Sequence, residues 1–109
     1  MADAAFVTVE ERGSGTVVFV VGVLDAAALP EVSRALTDAQ RNDRHPVYAD
    51  LSGVTFIDSR GLGALLAANE RSREGAAAIR IHRPSSAVRR LLDVSGAVSV
   101  LTEADVLPD

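Results

Sequence analysis

The sequence predicts an α/β fold: a mostly parallel mixed β-sheet with an antiparallel N-terminal edge strand, covered by three to four helices. Two hydrophobic patterns alternate along the chain, namely β-branched runs typical of strands and apolar positions three or four apart that are typical of helices. Their order is ββαβαβαβα, and right-handed crossovers join such strands into parallel sheets. With 48% hydrophobic and 24% charged residues, the composition fits one globular domain spanning residues 1–109.

The first two strands differ in their pattern. Phe6–Glu10 alternates apolar and polar residues, as a half-exposed edge strand does, and Arg12–Gly15 has the composition of a hairpin turn. Thr16–Val21 is almost continuously apolar and β-branched, which is typical of a strand covered on both faces by helices. We therefore expect Thr16–Val21 to lie in the centre of the sheet.

The middle of the chain predicts two helices around a third strand. Apolar residues recur at helical spacing after Asp25, at Leu29, Val32, Leu36 and Ala39, and Pro30 is tolerated in a first turn. Pro46–Leu51 then reads as a strand. Ser59–Glu74 follows as a second amphipathic helix, and Gly75 stands just past its end.

The last third of the chain repeats the alternation. Ala78–Ile81 predicts a fourth strand, and Ser85–Ser95 predicts a third helix closed by Gly96. Val98–Leu101 predicts a fifth strand, and Thr102 could cap a short last helix over residues 102–106.

The residue inventory excludes several classes of function. The chain has no cysteine, which excludes disulfides and thiolate chemistry, and all eleven basic residues are arginine, which excludes Walker-type phosphate loops and lysine Schiff bases. The longest apolar run, Thr16–Leu24, is shorter than the ~20 residues of a membrane span. A net charge of −4 without a basic run predicts neither nucleic acid nor membrane as partner. We expect a cytoplasmic chain with a protein or small-ligand partner, no metal and no cofactor.

The segment Asp50–Gly63 has the most unusual composition. It joins a predicted strand end to a helix start, where functional groups gather in α/β sheets, with Asp58 and Ser59 at the helix N-terminus. Taken alone, an Asp-Ser pair before a helix is more simply explained by plain helix capping. Glycines at positions 61 and 63 indicate close approach by another backbone or tight packing on the sheet, since each costs ~1 kcal/mol in a helix.

The stretch Val47–Leu66 resembles the signature of bacterial anti-sigma factor antagonists, the STAS-domain family. Gly22–Asp25 is similar to the family's turn before the first helix, and Pro84–Leu92 to the opening of its third helix. The sequence departs from the family at Arg60, where a small uncharged residue is usual, and at Val23, where a polar one is common. Arg60 could pair with a phosphoserine, tune kinase docking or simply be solvated.

The resemblance implies a partner-switching cycle. The unphosphorylated antagonist binds an anti-sigma factor that is also a serine kinase, and the sigma factor is released. The kinase then phosphorylates Ser59 from ATP, and a phosphatase acting on phosphoserine resets the switch. The chain is thus expected to be no enzyme, and its partner-binding residues are expected to be Asp25, Asp58, Ser59, Arg60, Gly61, Leu62 and Gly63.

Two other functions stay open. The domain could be a non-switching STAS scaffold subunit of a transport or sensory complex, with Ser59 only a cap, or a small-ligand-binding module. A phospho-aspartate receiver needs a lysine, and none is present. Simple structural roles also cover the remaining polar residues: a turn for Asp25, a strand-end backbone bond for Asp50, surface positions for His45 and His82, and a solvated helix face for Arg89–Arg90.

Overall fold

The computed structural model describes residues 5–42 and 45–109. Five strands form one sheet in the order β1-β2-β3-β4-β5, and three α-helices connect the successive parallel strands. The strands are β1 (Phe6–Arg12), β2 (Gly15–Leu24), β3 (Val47–Ile57), β4 (Ile79–His82) and β5 (Glu103–Ala104). The helices are α1 (Leu29–Asn42), α2 (Ser59–Arg73) and α3 (Ser86–Ser95). The predicted mixed sheet covered by three to four helices is confirmed, and the number of α-helices is three.

Strand pairing also follows the prediction. β1 pairs antiparallel with β2 at the sheet edge, from Phe6 opposite Val21 to Arg12 opposite Gly15. All other neighbours are parallel. Within residues 5–42 and 45–109, no helix is both long and apolar enough to cross a membrane.

The core lies between the helices and one face of the sheet. In β2, Val18 and Val20 belong to it, and they pack with Val32 and Leu36 of α1 and with Leu65 of α2. The opposite face of β2 is less covered, because Val21 points there and is 47% exposed. The prediction that helices cover Thr16–Val21 on both faces is therefore wrong, because the helices pack against the face that carries Val18 and Val20.

The third strand is longer than its apolar run suggested. The predicted strand ended at Leu51, whereas β3 continues to Ile57. Two irregularities in the β2–β3 register place extra residues in β3, so that Gly22 pairs with Val54 and Leu24 with Ile57. These bulges hide the alternation of apolar and polar residues that marks a strand.

Helix ends follow their predicted signals. The Ser85 hydroxyl accepts a hydrogen bond from the Val88 N–H at 3.3 Å and caps α3, and the Ser85 N–H donates to the Leu51 carbonyl of β3. Gly75 and Gly96 stand just past α2 and α3 with φ of 110° and 79°, a conformation that favours glycine.

The C-terminal prediction is wrong. Residues 98–101 form no strand, because Gly96 leads into a 3₁₀ turn over Ala97–Ser99 that leaves Val98 and Val100 exposed. The fifth strand is instead Glu103–Ala104, paired with Ile81 and His82, where a short helix was expected. Hydrophobic β-branched residues thus line a surface turn here, against their usual strand preference.

Candidate functional site

The carboxyl ends of β2 and β3 meet at one edge of the sheet. Leu24 pairs with Ile57, and the Asp58 N–H donates to the Leu24 carbonyl at 3.4 Å. Asp25 therefore leaves β2 at the same edge where α2 begins at Ser59. Functional side chains of open α/β sheets are found at this position.

Asp58 caps α2. Its backbone is extended, and its carboxylate oxygen Oδ1 accepts hydrogen bonds from the N–H groups of Arg60 and Gly61, each at 3.0 Å. The Gly61 N–H bond, together with the Arg60 guanidinium, holds the pKa of Asp58 below its usual value. The carboxylate consequently stays ionised and fixes the first turn of the helix.

Arg60 turns back onto the cap. Its Nη2 lies 3.2 Å from Oδ2 of Asp58, while its side chain remains 66% exposed. Of the interpretations open from sequence, the structure places Arg60 in an exposed ion pair, whose strength in water is small. The guanidinium can therefore leave Asp58 at little cost.

Ser59 is the first residue of α2 and is exposed. Among the hydrogen bonds of the described residues, none uses its hydroxyl, because the neighbouring Asp58 already satisfies the helix N–H groups. The capping role offered for the Asp-Ser pair thus falls to Asp58 alone, and the Ser59 hydroxyl faces solvent at the positive end of the helix.

The two glycines of α2 differ. A Cβ atom on Gly61 would overlap the carbonyl oxygen of Leu24 and lie 2.9 Å from that residue's Cγ, so the predicted close approach of another backbone is confirmed there. Gly63 is exposed, and a Cβ atom on it would meet nothing within 4 Å, so no described part of this chain approaches Gly63 closely. Leu62 between them is buried in the core and supports this surface from below.

Asp25 shapes the turn into α1. Its Oδ1 accepts from the Ala27 N–H at 3.1 Å, and its carbonyl accepts from the Ala28 N–H at 3.1 Å. The structure thus gives it the turn role that sequence reasoning offered as an alternative. Asp25 is half-buried at the edge where α2 begins, so its turn role and a place in the surface around Ser59 are compatible.

Sequence reasoning missed a groove beside this edge. It has a volume of about 480 Å³ and lies between the end of β3 and the exposed side of α3. We call it the α3 groove, and its lining residues are Phe56, Ile57, Ser86, Ala87, Arg90, Leu91 and Val94. The apolar stripe of α3 consists of Val88, Leu91 and Leu92. Val94 lies outside this stripe, and its position was the signal in the sequence for an exposed apolar side chain on α3.

The other polar candidates have structural roles. Asp50 is buried within β3, not at its end, and its Oδ1 accepts from the Ser52 N–H at 3.0 Å. His82 is buried, against expectation, and its ring nitrogen Nδ1 forms a hydrogen bond with the Ala104 carbonyl at 2.8 Å.

The remaining charged candidates lie at the surface or form ion pairs. Arg89 pairs with Glu103 of β5, while Arg90 and His45 are exposed. Within the described ranges, no three acidic or histidine side chains are grouped as metal ligands would be.

The chain matches known proteins over most of its length. A family model described as "Mlab, STAS domain" matches residues 7–103. An anti-sigma-B factor antagonist from Listeria monocytogenes is 27% identical over 96 residues, which cover 87% of this chain and 84% of the relative.

Solved structures share the fold. The crystal structure of an anti-sigma factor antagonist from Mycobacterium paratuberculosis superposes with a TM-score of 0.84, at 24% identity, over 95% of this chain and 88% of that chain. The phosphorylated form of the Bacillus cell fate determinant SpoIIAA superposes with a TM-score of 0.66, at 20% identity, over 94% and 92%. The chain therefore belongs to the STAS-domain anti-sigma factor antagonist family.

Proposed function

We propose that this chain is an anti-sigma factor antagonist that is switched by phosphorylation of Ser59. In its unphosphorylated form it binds an anti-sigma factor with serine kinase activity, and a sigma factor is released. The observation that carries the proposal is the exposed Ser59 hydroxyl at the start of α2, on a helix end held by Asp58. The chain is then a substrate and an effector, with no reaction of its own.

The proposed docking surface surrounds this hydroxyl. Its exposed members are Ser59, Arg60 and Gly63, while Gly61 and Leu62 hold the helix against the sheet from below. A glycine in an exposed helix position with free space costs ~1 kcal/mol and serves no packing within the chain. Gly63 therefore suits close approach by the backbone of a partner.

Phosphate on Ser59 opposes such docking. It adds about −1.5 to −2 charges to a chain whose net charge is already −4, and it places three strongly hydrated oxygens on the contact surface. Burying these oxygens without partners costs several kcal/mol, which exceeds the margin of a reversible complex. The phosphorylated chain is thus expected to leave its partner.

The domain itself tolerates the phosphate. The helix N-terminus favours a negative group, and the Arg60 guanidinium, paired with Asp58 only in an exposed contact, can turn to the phosphate. The relatives agree with a switch of this kind. The Listeria relative is named an anti-sigma-B factor antagonist, and SpoIIAA, which shares the fold, exists in a phosphorylated form.

The phosphorylation site can be tested by intact mass. The chain is incubated with ATP and the purified anti-sigma factor kinase of the same organism, and we expect a gain of one phosphate that Ser59→Ala abolishes. Ser14→Ala, at an exposed serine of the hairpin turn, is the matched control and should still be phosphorylated. Full phosphorylation of Ser59→Ala would assign the phosphate to another residue. A phosphoserine phosphatase should reverse the mass change.

The switch itself is tested by affinity. Ser59→Asp is expected to weaken binding to the anti-sigma factor at least tenfold, or about 1.4 kcal/mol, relative to the wild type. Ser59→Ala should bind as the wild type does. If the unphosphorylated, phosphorylated and Ser59→Asp forms all bind with equal affinity, the chain is a non-switching scaffold and the proposal is wrong.

A further inference from the structure

The α3 groove exposes large apolar side chains next to the Ser59 edge. Phe56 is 51% exposed on one side of the groove and Val94 is 79% exposed on the other. Ile57 also lines the groove, and it is the residue immediately before the Asp58 cap. The groove therefore lies at the same end of β3 as Ser59, and exposed apolar surface of this kind marks an interaction site.

The groove also contains an unpaired cation. Arg90 is exposed and lines the groove, and within residues 5–42 and 45–109 it takes part in no ion pair, whereas its neighbour Arg89 pairs with Glu103. The chain has a net charge of −4. An arginine that acidic neighbours leave free, on an apolar rim, is complementary to a carboxylate of another molecule.

The shape of the groove favours a protein segment over a small molecule. Its volume of about 480 Å³ would admit a ligand. However, small-molecule sites bury about 70–90% of their ligand. Because Phe56 and Val94 remain largely exposed, the groove is an open trough that covers only one side of its occupant. Enclosure is completed when the surface of a partner protein lies across it.

We propose that the α3 groove is a second docking contact for the anti-sigma factor kinase, which places an apolar side chain in the groove and a neighbouring carboxylate on Arg90. This inference rests on the proposed function. The contact lies beside the phosphorylated residue and not on it, so it acts on capture of the chain and leaves phosphate transfer to Ser59 unchanged.

The experiment measures binding and phosphorylation with the purified kinase and full-length variants. Val94→Glu and Arg90→Glu are each expected to raise the Kd of the unphosphorylated chain at least fivefold. They should also raise KM for phosphorylation of Ser59 at least fivefold, with kcat unchanged. The matched controls are Val106→Glu, at a valine that is 76% exposed in the C-terminal tail, and Arg41→Glu, in the last turn of α1. Both controls should stay within twofold of the wild type.

Thermal melting checks the folding of all four variants. We expect Val94→Glu and Arg90→Glu to stay folded, because both side chains are exposed and their replacement should leave the core intact. If Val94→Glu and Arg90→Glu bind and are phosphorylated like the controls, the second contact does not exist, while the Ser59 switch stands. A drop in kcat with unchanged KM would also overturn the inference. If the wild type itself forms no complex with the kinase, the proposed function fails, and the docking contact fails with it.

Discussion

Gly61 at the start of α2 lies directly against the carbonyl group of Leu24 at the end of β2. This contact sets the distance between the helix and the sheet at the edge that carries Ser59. The same carbonyl accepts the Asp58 N–H, so one peptide group of β2 fixes both the cap and the first turn of the helix. The position of Ser59 therefore depends on Gly61, which has no side chain and lies two residues further along the chain.

Replacing Gly61 with alanine should destabilise the fold. The added methyl group overlaps backbone atoms of Leu24, which cannot rotate away, so we expect a loss of about 1–3 kcal/mol in the free energy of unfolding. Gly63→Ala is the matched control, because it adds the same methyl group to the same helix in free space. It should raise stability by up to ~1 kcal/mol through helix propensity. Urea unfolding followed by circular dichroism measures both.

Equal effects of the two alanine variants would contradict this account. The sequence alone could not separate the two glycines, since each stands in the first turns of α2 with similar neighbours. The distinction depends on which side of the helix faces β2. Because α2 begins directly after β3, its orientation depends on where β3 ends. The two register shifts that extend β3 to Ile57 leave no simple pattern in the sequence.

Loss of the Asp58 carboxylate should weaken α2. Asp58→Ala removes the acceptor for the N–H groups of Arg60 and Gly61, and substitution of an N-cap typically costs about 0.5–2 kcal/mol. Asp58→Asn keeps an acceptor oxygen at the same place and should recover most of this loss. Chemical unfolding at pH 7 measures both. If Asp58→Ala proves as stable as the wild type, the cap contributes nothing and Ser59 needs another support.

The cap should also respond to pH. The pKa of Asp58 is lowered in the folded state, chiefly by the Gly61 N–H, so its contribution is complete above the unfolded pKa of about 3.9 and is lost as the pH falls through the folded value. The stability difference between the wild type and Asp58→Asn should therefore be constant from pH 7 to pH 5 and shrink below about pH 4. Glu103, whose pKa Arg89 lowers, titrates in both proteins and cancels in the difference. A difference independent of pH would contradict the assignment.

Gln40 of α1 hydrogen-bonds both to α2 and to the chain just before β4. Its amide NH₂ donates to the carbonyls of Ala68 and Ala77 at 2.8 and 2.9 Å, and its carbonyl oxygen accepts from Nε of Arg71 at 2.9 Å. We expect Gln40→Met, which keeps the volume, to cost about 1–3 kcal/mol in unfolding free energy, because buried polar groups lose their partners. Arg71→Met in the Gln40→Met background should recover part of this loss. No recovery would show that Arg71 and Gln40 act independently.

The sequence contained a signal for this network that periodicity alone passes over. Gln40 follows Leu36 by four residues, so it continues the apolar stripe of α1 with a polar side chain. The stripe correctly predicted the helix and its buried face, as it did for α2 and α3. It could not predict partners on another helix, because the pairing of α1 with α2 depends on the order of the strands in the sheet.

Ser59→Asp should leave the fold intact, which separates the proposed switch from simple unfolding. The new carboxylate is favoured by the helix N-terminus by about 0.3–1 kcal/mol, and repulsion from the adjacent Asp58 offsets part of that gain. We therefore expect the unfolding free energy to change by less than ~1 kcal/mol while binding to the anti-sigma factor falls at least tenfold. Urea unfolding of Ser59→Asp beside Ser59→Ala gives the comparison. A stability loss above about 2 kcal/mol would mean that the negative charge disrupts α2 itself. Weakened binding would then report a damaged helix and could not be assigned to repulsion at the docking surface.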